Sequence, residues 1–317
     1  MKIIRDLKGG SLSQTSVISN GNEMWVRKSV SIENNREYGL VRWHSQIRKN
    51  QVLRDLFPEY VLPIINSGID GDFYFFDLPF LENSQNLFEA LNSGVSERLI
   101  AKHLYEIVKR IAANRLEGVP GSFSVYLFEE VLRPLLRASN EVDNEITCLT
   151  QEEIRFFKNR INFIIPKIKQ LISSYSDIEL FESFTHGNLT LENVIWDYDN
   201  SRLFLIDSYA ETYCESVLGD VSQIYQSSLS GYEAVSNLFS KGEISTINYP
   251  YFQIPEVLKA FGAEFDSFIS SEEWYDYQIL KLFRASQFTR MFPFKIVNNP
   301  RLAFLFLNHA MDLLEDF

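Results

Sequence analysis

One segment of the chain gathers, at close spacing, residue types able to do chemistry. It runs His186-Gly187-Asn188-Leu189-Thr190-Leu191-Glu192-Asn193, then Val194-Ile195-Trp196 and, after a polar turn, Leu205-Ile206-Asp207. A polar loop leads into a short apolar hairpin, and an aspartate closes its second strand. The Asn193 amide oxygen and the Asp207 carboxylate are hard donors of the kind Mg²⁺ prefers. Asn188 accepts a hydrogen bond through its amide oxygen but takes no proton at pH 7. A turn-strand-turn-strand unit with a structural histidine is the plainer reading of the same residues. Other chemistries lack their signatures. There is no GxxxxGK[ST] and no GxGxxG, so neither a P-loop nor a dinucleotide fold is supported. No HExxH or CxxC occurs, the four histidines (His44, His103, His186, His309) lie far apart, and Cys148 and Cys214 are isolated. That pattern supports neither a zinc ribbon nor a disulfide scaffold.

The segment resembles the catalytic core of the aminoglycoside phosphotransferase and choline kinase families, which share the protein-kinase-like fold. Their pattern is H-G-D-x-x-x-x-N, then a hydrophobic strand and I-D. The chain departs from it at one keyed position, where Asn188 replaces the aspartate. The resemblance implies ATP and Mg²⁺ as cofactors, with Asn193 and Asp207 as metal ligands and Asp207 bridging the metals to the β- and γ-phosphates. His186 would fix the loop, and Asn188 would stand where the acceptor hydroxyl is oriented. Gly9-Gly10-Ser11 resembles the phosphate-covering loop, with an ordinary hairpin loop as the alternative. Val26-Arg27-Lys28 resembles the V-x-K that carries the phosphate-binding lysine. Glu37 would hold Lys28 in place, with Glu33 as its competitor. Asp77 to Asn83 would be the hinge whose backbone, around Phe80 and Leu81, meets the adenine edge. Asp220, after Gly219, would brace the loop from below, or serve as a plain helix N-cap, which needs the same residue type. The L-T-L-E-N wording, Asp220 to Ser227 and Gly231-Tyr232-Glu233 also resemble phosphotransferases of bacterial surface-polysaccharide clusters.

The elements that must position these residues fall into two regions. The first 82 residues read as an α+β lobe. Short apolar runs at Ile3-Ile4, Gln14 to Ser19 and Met24 to Val26 suggest three strands, the last two joined by Asn20-Gly21, a hairpin turn signal. Ser31 to Asn50 reads as a helix. Val61 to Asn66 and Phe73 to Leu81 read as two more strands around Asp70-Gly71. From residue 83 to 317 the pattern is helical. Ser96 to Leu116 carries Leu99, His103, Ile107 and Ile111 at spacings of four; Phe128 to Ala138 and Glu152 to Ser174 are further helices, and Ser139 to Thr150 is a loop. The catalytic-loop hairpin interrupts the helices, and the acceptor site would come from the later ones. The expected architecture is a small antiparallel-sheet lobe with one helix, followed by a larger, mainly helical lobe.

Composition narrows the partners. The 317 residues include 30 Lys plus Arg and 42 Asp plus Glu, a formal charge of −12. That balance argues against a nucleic-acid binder, which needs a basic footprint. It also argues against attachment to an anionic membrane. No apolar run approaches the roughly 18 residues of a membrane span, and a cytoplasmic protein is expected. Only 12 residues separate Asp207 from Asp220, which leaves no room for the long activation segment of protein kinases. The expected acceptor is therefore a small hydroxylated molecule: a sugar, a glycan precursor or an amino alcohol. Glu272 to Tyr277 could bind such a ligand through aromatic faces, or form an amphipathic helix with a solvated acidic side. His309, in the apolar stripe from Leu302 to Leu314, reads as core. Losing a general base costs about 10²- to 10⁴-fold in rate. Asn188 thus leaves three readings: a slow or specialised phosphotransferase, a degenerate kinase that binds nucleotide without efficient transfer, or an introduced substitution in an active enzyme.

Overall fold

The structure, a computed structural model, describes residues 2–7, 13–21, 23–32, 36–143, 149–209, 212–240 and 254–317. The chain divides into two units, Met1–Ala90 with His186–Glu211, and Leu91–Thr185 with Thr212–Phe317.

In the first unit, β1 (Lys2–Leu7), β2 (Gln14–Ser19), β3 (Met24–Ser31), β4 (Asn66–Asp70) and β5 (Phe73–Pro79) form one antiparallel sheet in the order β1-β2-β3-β5-β4. The Asn20-Gly21 turn joins β2 to β3 as its sequence predicts, with Gly21 at φ +111°, a conformation that suits glycine. Register places Lys28 between Thr15 and Phe76, and Arg27 between Ser16 and Asp77. Because side chains alternate along a strand, these two cations project from opposite faces. Helix α1 (Arg36–Leu56) packs on β3 and β5, and Trp43 Nε1 donates to Phe75 O at 3.0 Å. Among the described residues the helix begins at Arg36, and it runs past Asn50, where the spacing ends it, to Leu56. The expected strand at Val61–Asn66 is not one: Val61 makes a single parallel bridge to Leu205, and Leu62 and Ile64 turn into an apolar cluster. Pro63, with no N–H to offer a ladder, explains that. The strand is instead the polar Asn66–Asp70 on the sheet edge.

The later segment of this unit adds a single turn of 3₁₀ helix, Leu191–Asn193, then β7 (Val194–Asp197) and β8 (Arg202–Leu205). A three-residue strand, β6 (Ser84–Asn86), pairs with β7 to make a second sheet, β6-β7-β8. Its polar sequence gave no strand signal. The apolar cluster binds the two segments together: Leu62, Phe76, Leu78 and Phe204 are buried, packed against Val26, Trp43, Ile47, Ile64, Leu81, Ile195 and Ile206. Each fully buried side chain of this kind stabilises the fold by about 1.5–3 kcal/mol.

Helix α2 (Leu87–Asn92) leads into the second unit. There follow α3 (Glu97–Ala113), α4 (Ser122–Leu127), a turn of π-helix at Phe128–Leu132, α5 (Arg133–Asp143) and α6 (Gln151–Ser174). Then come α7 (Val217–Ser228), α8 (Tyr232–Ser240), α9 (Glu256–Ile269), α10 (Tyr277–Thr289), α11 (Phe292–Asn298) and α12 (Pro300–Leu314). The buried face of α3 is Ile100, Leu104, Ile107, Val108 and Ile111. Of the expected stripe, Ile107 and Ile111 lie on this face, while Leu99 is exposed and His103 half-buried, with Ile100 and Leu104 taking their places. Residues 139–143, expected as loop, continue α5. Helix α7 is buried along its whole length. Its polar residues are met from α10: Gln287 Nε2 donates to Ser222 Oγ at 2.8 Å, and Gln223 Nε2 donates to Gln287 Oε1 at 3.4 Å.

Candidate functional site

Strand β3 delivers Lys28, buried at 8% exposure, and the turn after β8 delivers Asp207. The Lys28 ammonium donates to Asp207 Oδ1, joining residues 179 positions apart. Helix α1 adds a third member, Gln46, whose Nε2 donates to the same oxygen at 2.7 Å. No other bond to the Asp207 carboxylate is made among the described residues, so Oδ2 remains open. Asp207 has φ +59°, a left-handed conformation that is uncommon for a residue with a Cβ and clusters at functional sites. Burial acts to raise its carboxyl pKa. Lys28, by charge and hydrogen bond, together with Arg42 and His186, outweighs burial and holds it below the usual carboxylate range.

The loop before β7 closes on the same residue. Asn188 Nδ2 donates to Asp207 O at 3.1 Å. Asn193 Nδ2 donates to Asn188 O at 2.9 Å and to Thr190 Oγ1 at 3.1 Å, while Ile206 N donates to Asn193 O at 3.0 Å. The amide nitrogen of Asn193 is thus spent on the loop, which leaves its side-chain oxygen as the donor atom for a cation. Tyr209 N donates to His186 O at 3.0 Å. Between these, Gly187 has φ +78°, and a Cβ there would lie 2.2 Å from Tyr209 O. Only glycine fits that crossing of two backbones. His186 is fully buried, and burial, with Lys49 adding to it, pushes its imidazole down to about 4 despite Asp207. It is neutral at pH 7 and packed inside the loop.

The structure thus brings Lys28, His186, Asn188, Asn193 and Asp207 into one neighbourhood. Phe80 and Leu81 lie in the connection from β5 to β6. Leu81 joins the apolar cluster with Val26, Ile195 and Ile206, Leu81 O accepts from Ser84 Oγ at 2.8 Å, and Arg5 sits over the Phe80 ring at 5.7 Å. The expected hinge loses its first three residues. Asp77–Pro79 belong to β5, and Asp77 is held from Arg27, Nε to Oδ1 at 2.8 Å and a terminal nitrogen to Oδ2 at 2.9 Å. Gly9, Gly10, Ser11 and Glu33 lie outside the described residues. Glu37 falls in the first turn of α1, and its side chain is not among those described.

In the second unit, Ser216 is the N-cap of α7 and accepts from Leu218 N, so Asp220 is not the cap. It lies within the helix at 1% exposure. The stretch from Glu272 to Asp276 is not an amphipathic helix but the connection between α9 and α10, and Tyr277 opens α10. Trp274 is buried, Asp276 caps α10, Tyr105 Oη donates to Glu272 at 2.5 Å and Tyr275 Oη to Asp266 at 3.3 Å. Gln46 was missed by sequence reasoning. Its signal was an amide between Trp43 and Ile47 on the sheet-facing side of an otherwise polar helix.

Among the described residues, no three His, Cys, Asp or Glu side chains stand close enough to hold a metal by themselves. No described helix is long and apolar enough to cross a membrane. No protein-family model matches the chain, and no curated protein matches its sequence. Solved structures do match it in fold. A glucosamine kinase in complex with glucosamine, ADP and inorganic phosphate superposes with a TM-score of 0.54 at 12% identity, covering 99% of this chain and 93% of that one. A second crystal form of glucosamine kinase gives 0.55 at 12% identity, over 99% and 96%. A Haemophilus somnus 129PT protein assigned as a fructosamine-3-kinase gives 0.53 at 13% identity, over 98% and 90%. The antiparallel sheet with its helix, followed by the helical remainder, is therefore the two-lobed α+β, kinase-like fold that these structures share.

Proposed function

We propose that the chain is an ATP- and Mg²⁺-dependent phosphotransferase acting on a hydroxyl of a small molecule, in the class of sugars, glycan precursors and amino alcohols. The observation that carries this reading is the meeting of Lys28 and Asp207, with Asn188 and Asn193 tied into the turn that holds Asp207. Residues 1–82 form the nucleotide-binding lobe, and residues 83–317 carry the catalytic loop and the acceptor contacts. Phe80 and Leu81 meet the base edge through their backbone, and Val26, Leu81, Ile195 and Ile206 supply apolar contact. Lys28 binds phosphate, Gly9, Gly10 and Ser11 cover it, and Glu37 supports Lys28 from α1. The donor set fits Mg²⁺: the Asn193 side-chain oxygen and Asp207 Oδ2 are hard oxygens with no competing bond among the described residues. When bound, the ion supplies charge neutralisation at the phosphates. His186 keeps the loop in shape, and the Asn188 side-chain oxygen orients the acceptor hydroxyl. The likeness to kinases of glucosamine and fructosamine supports a small-molecule acceptor.

A second reading has its own support. Asn188 takes no proton, and its Nδ2 already clips the loop to Asp207 O. That favours a protein that binds nucleotide without efficient transfer. The test common to both is thermal unfolding with ATP, ADP or neither, each with and without Mg²⁺. A ligand at about 100 times its Kd adds roughly 2.7 kcal/mol, so a shift of several degrees that needs Mg²⁺ is expected, and Asp207→Asn abolishes it. Absence of any shift in the wild type would sink both readings.

A further inference from the structure

We infer that Gln46 is a positioning residue for Asp207, a role that rests on the nucleotide and metal reading above. Gln46 is 4% exposed, and its Nε2 meets the oxygen of Asp207 that Lys28 also holds. Chemistry fixes the amide's orientation, since the reverse would set its oxygen against a carboxylate. Oriented this way, Gln46 Oε1 is buried and receives no hydrogen bond among the described residues. An unsatisfied buried acceptor destabilises the fold. Between Trp43 and Ile47, a leucine or methionine would pack without that cost. Stability therefore does not account for an amide here, whereas its bond to Asp207 does.

The consequence lies in how the two carboxylate oxygens are divided. Lys28 and Gln46 converge on Oδ1, so Oδ2 is the oxygen left for a cation. A second ammonium at position 46 would compete with the ion for the carboxylate, and a carboxylate there would repel Asp207. A neutral donor fixes the side chain and leaves its charge intact. Asp207 needs such support because its backbone sits at φ +59°, where no strand ladder holds it.

The experiment uses the full chain with ADP as probe and titrates Mg²⁺, reading thermal shift for wild type, Gln46→Leu and Gln46→Glu, both close to the native size. The Mg²⁺ midpoint is expected to rise about 10- to 100-fold in Gln46→Leu, the worth of a hydrogen bond to a charged group, and further in Gln46→Glu. Metal-free ADP affinity should change less than about threefold. A side chain that merely packs would lower the unfolding temperature and leave the Mg²⁺ midpoint in place. A wild type that binds Mg²⁺ and ADP, with both variants matching its midpoint, overturns the role of Gln46 and leaves the nucleotide reading standing. A wild type that shows no Mg²⁺-dependent ADP binding overturns the nucleotide reading, and this role with it. Should Gln46→Leu fail to fold, Gln46→Met, which keeps the size and likewise removes the donor, decides by the same comparison.

Discussion

Asn188 is the residue on which turnover depends. Replacing it with aspartate supplies a carboxylate able to accept the acceptor's proton but removes the N–H that clips the loop to Asp207 O. Two opposite effects are expected from Asn188→Asp. Turnover rises, by about 10²- to 10⁴-fold, when ATP is offered with a panel of amino sugars and sugars. Stability falls by about 1–3 kcal/mol, because the Asp207 carbonyl loses its donor and faces a charge. A variant that is destabilised yet no faster would favour the binding reading. His186, Asn188, Asn193 and Asp207 were legible in the sequence because the loop that holds them is contiguous apart from one hairpin. Gln46 was not, because what selects it is a three-dimensional meeting of α1 with the turn after β8. The spacing of acidic residues pointed to the first turn of α1 and away from its middle.

Strand β3 works as an element because its alternation separates two cations. Lys28 goes to the site, while Arg27 goes to the other face, where it meets Asp77 twice and Asp70 Oδ2 at 2.9 Å and lies 3.8 Å from the centre of the Phe75 ring. A one-residue slip would exchange the two, so the Arg27 pair pins the register that delivers Lys28. Arg27→Met leaves Asp77, at 3% exposure, without its guanidinium. Urea unfolding should show a loss of about 3 kcal/mol; a loss under about 1 kcal/mol would mean the pair behaves as a surface one. The hairpins of this unit were readable where a turn signal stood between apolar runs, as at Asn20-Gly21 and Asp199-Asn200. Elements defined by pairing alone were not. Strand β6 is three polar residues with no periodicity of their own, and the apolar stretch around Pro63 imitates a strand while serving the cluster under β5.

Across the whole molecule, two buried histidines contribute to the response to acid. His309 on α12 packs its ring edge-on to Phe288, shares a hydrogen bond of 2.8 Å with Ser230, and faces Arg284. It is a core histidine, as its place in an apolar stripe suggested. Burial, then Arg284, push it down to about 3, and His186 lies at about 4. The unfolded chain binds these protons near 6.5, so the neutral rings contribute stability in full above that pH and lose it as pH falls toward their folded values. Between about pH 6 and 4, with the unfolded state taking up two more protons on these rings, their contribution to stability should drop by roughly 2.7 kcal/mol per pH unit. In His309→Gln that slope should halve; urea midpoints across this range that keep the full slope would refute the assignment. The first unit also has a history written into its order. Its two segments, Met1–Ala90 and His186–Glu211, are separated by most of one helical stretch of the second unit. At about 5–20 residues per second of synthesis, the ribosome delivers the second segment roughly 6–24 s after the first. During that interval Lys28 has no Asp207 to meet, and the underside of the sheet has neither Ile195, Phe204 nor Ile206 against it. A nascent chain of this kind is a natural client for a holding chaperone, and the site can be completed only when more than half of the protein has left the exit tunnel.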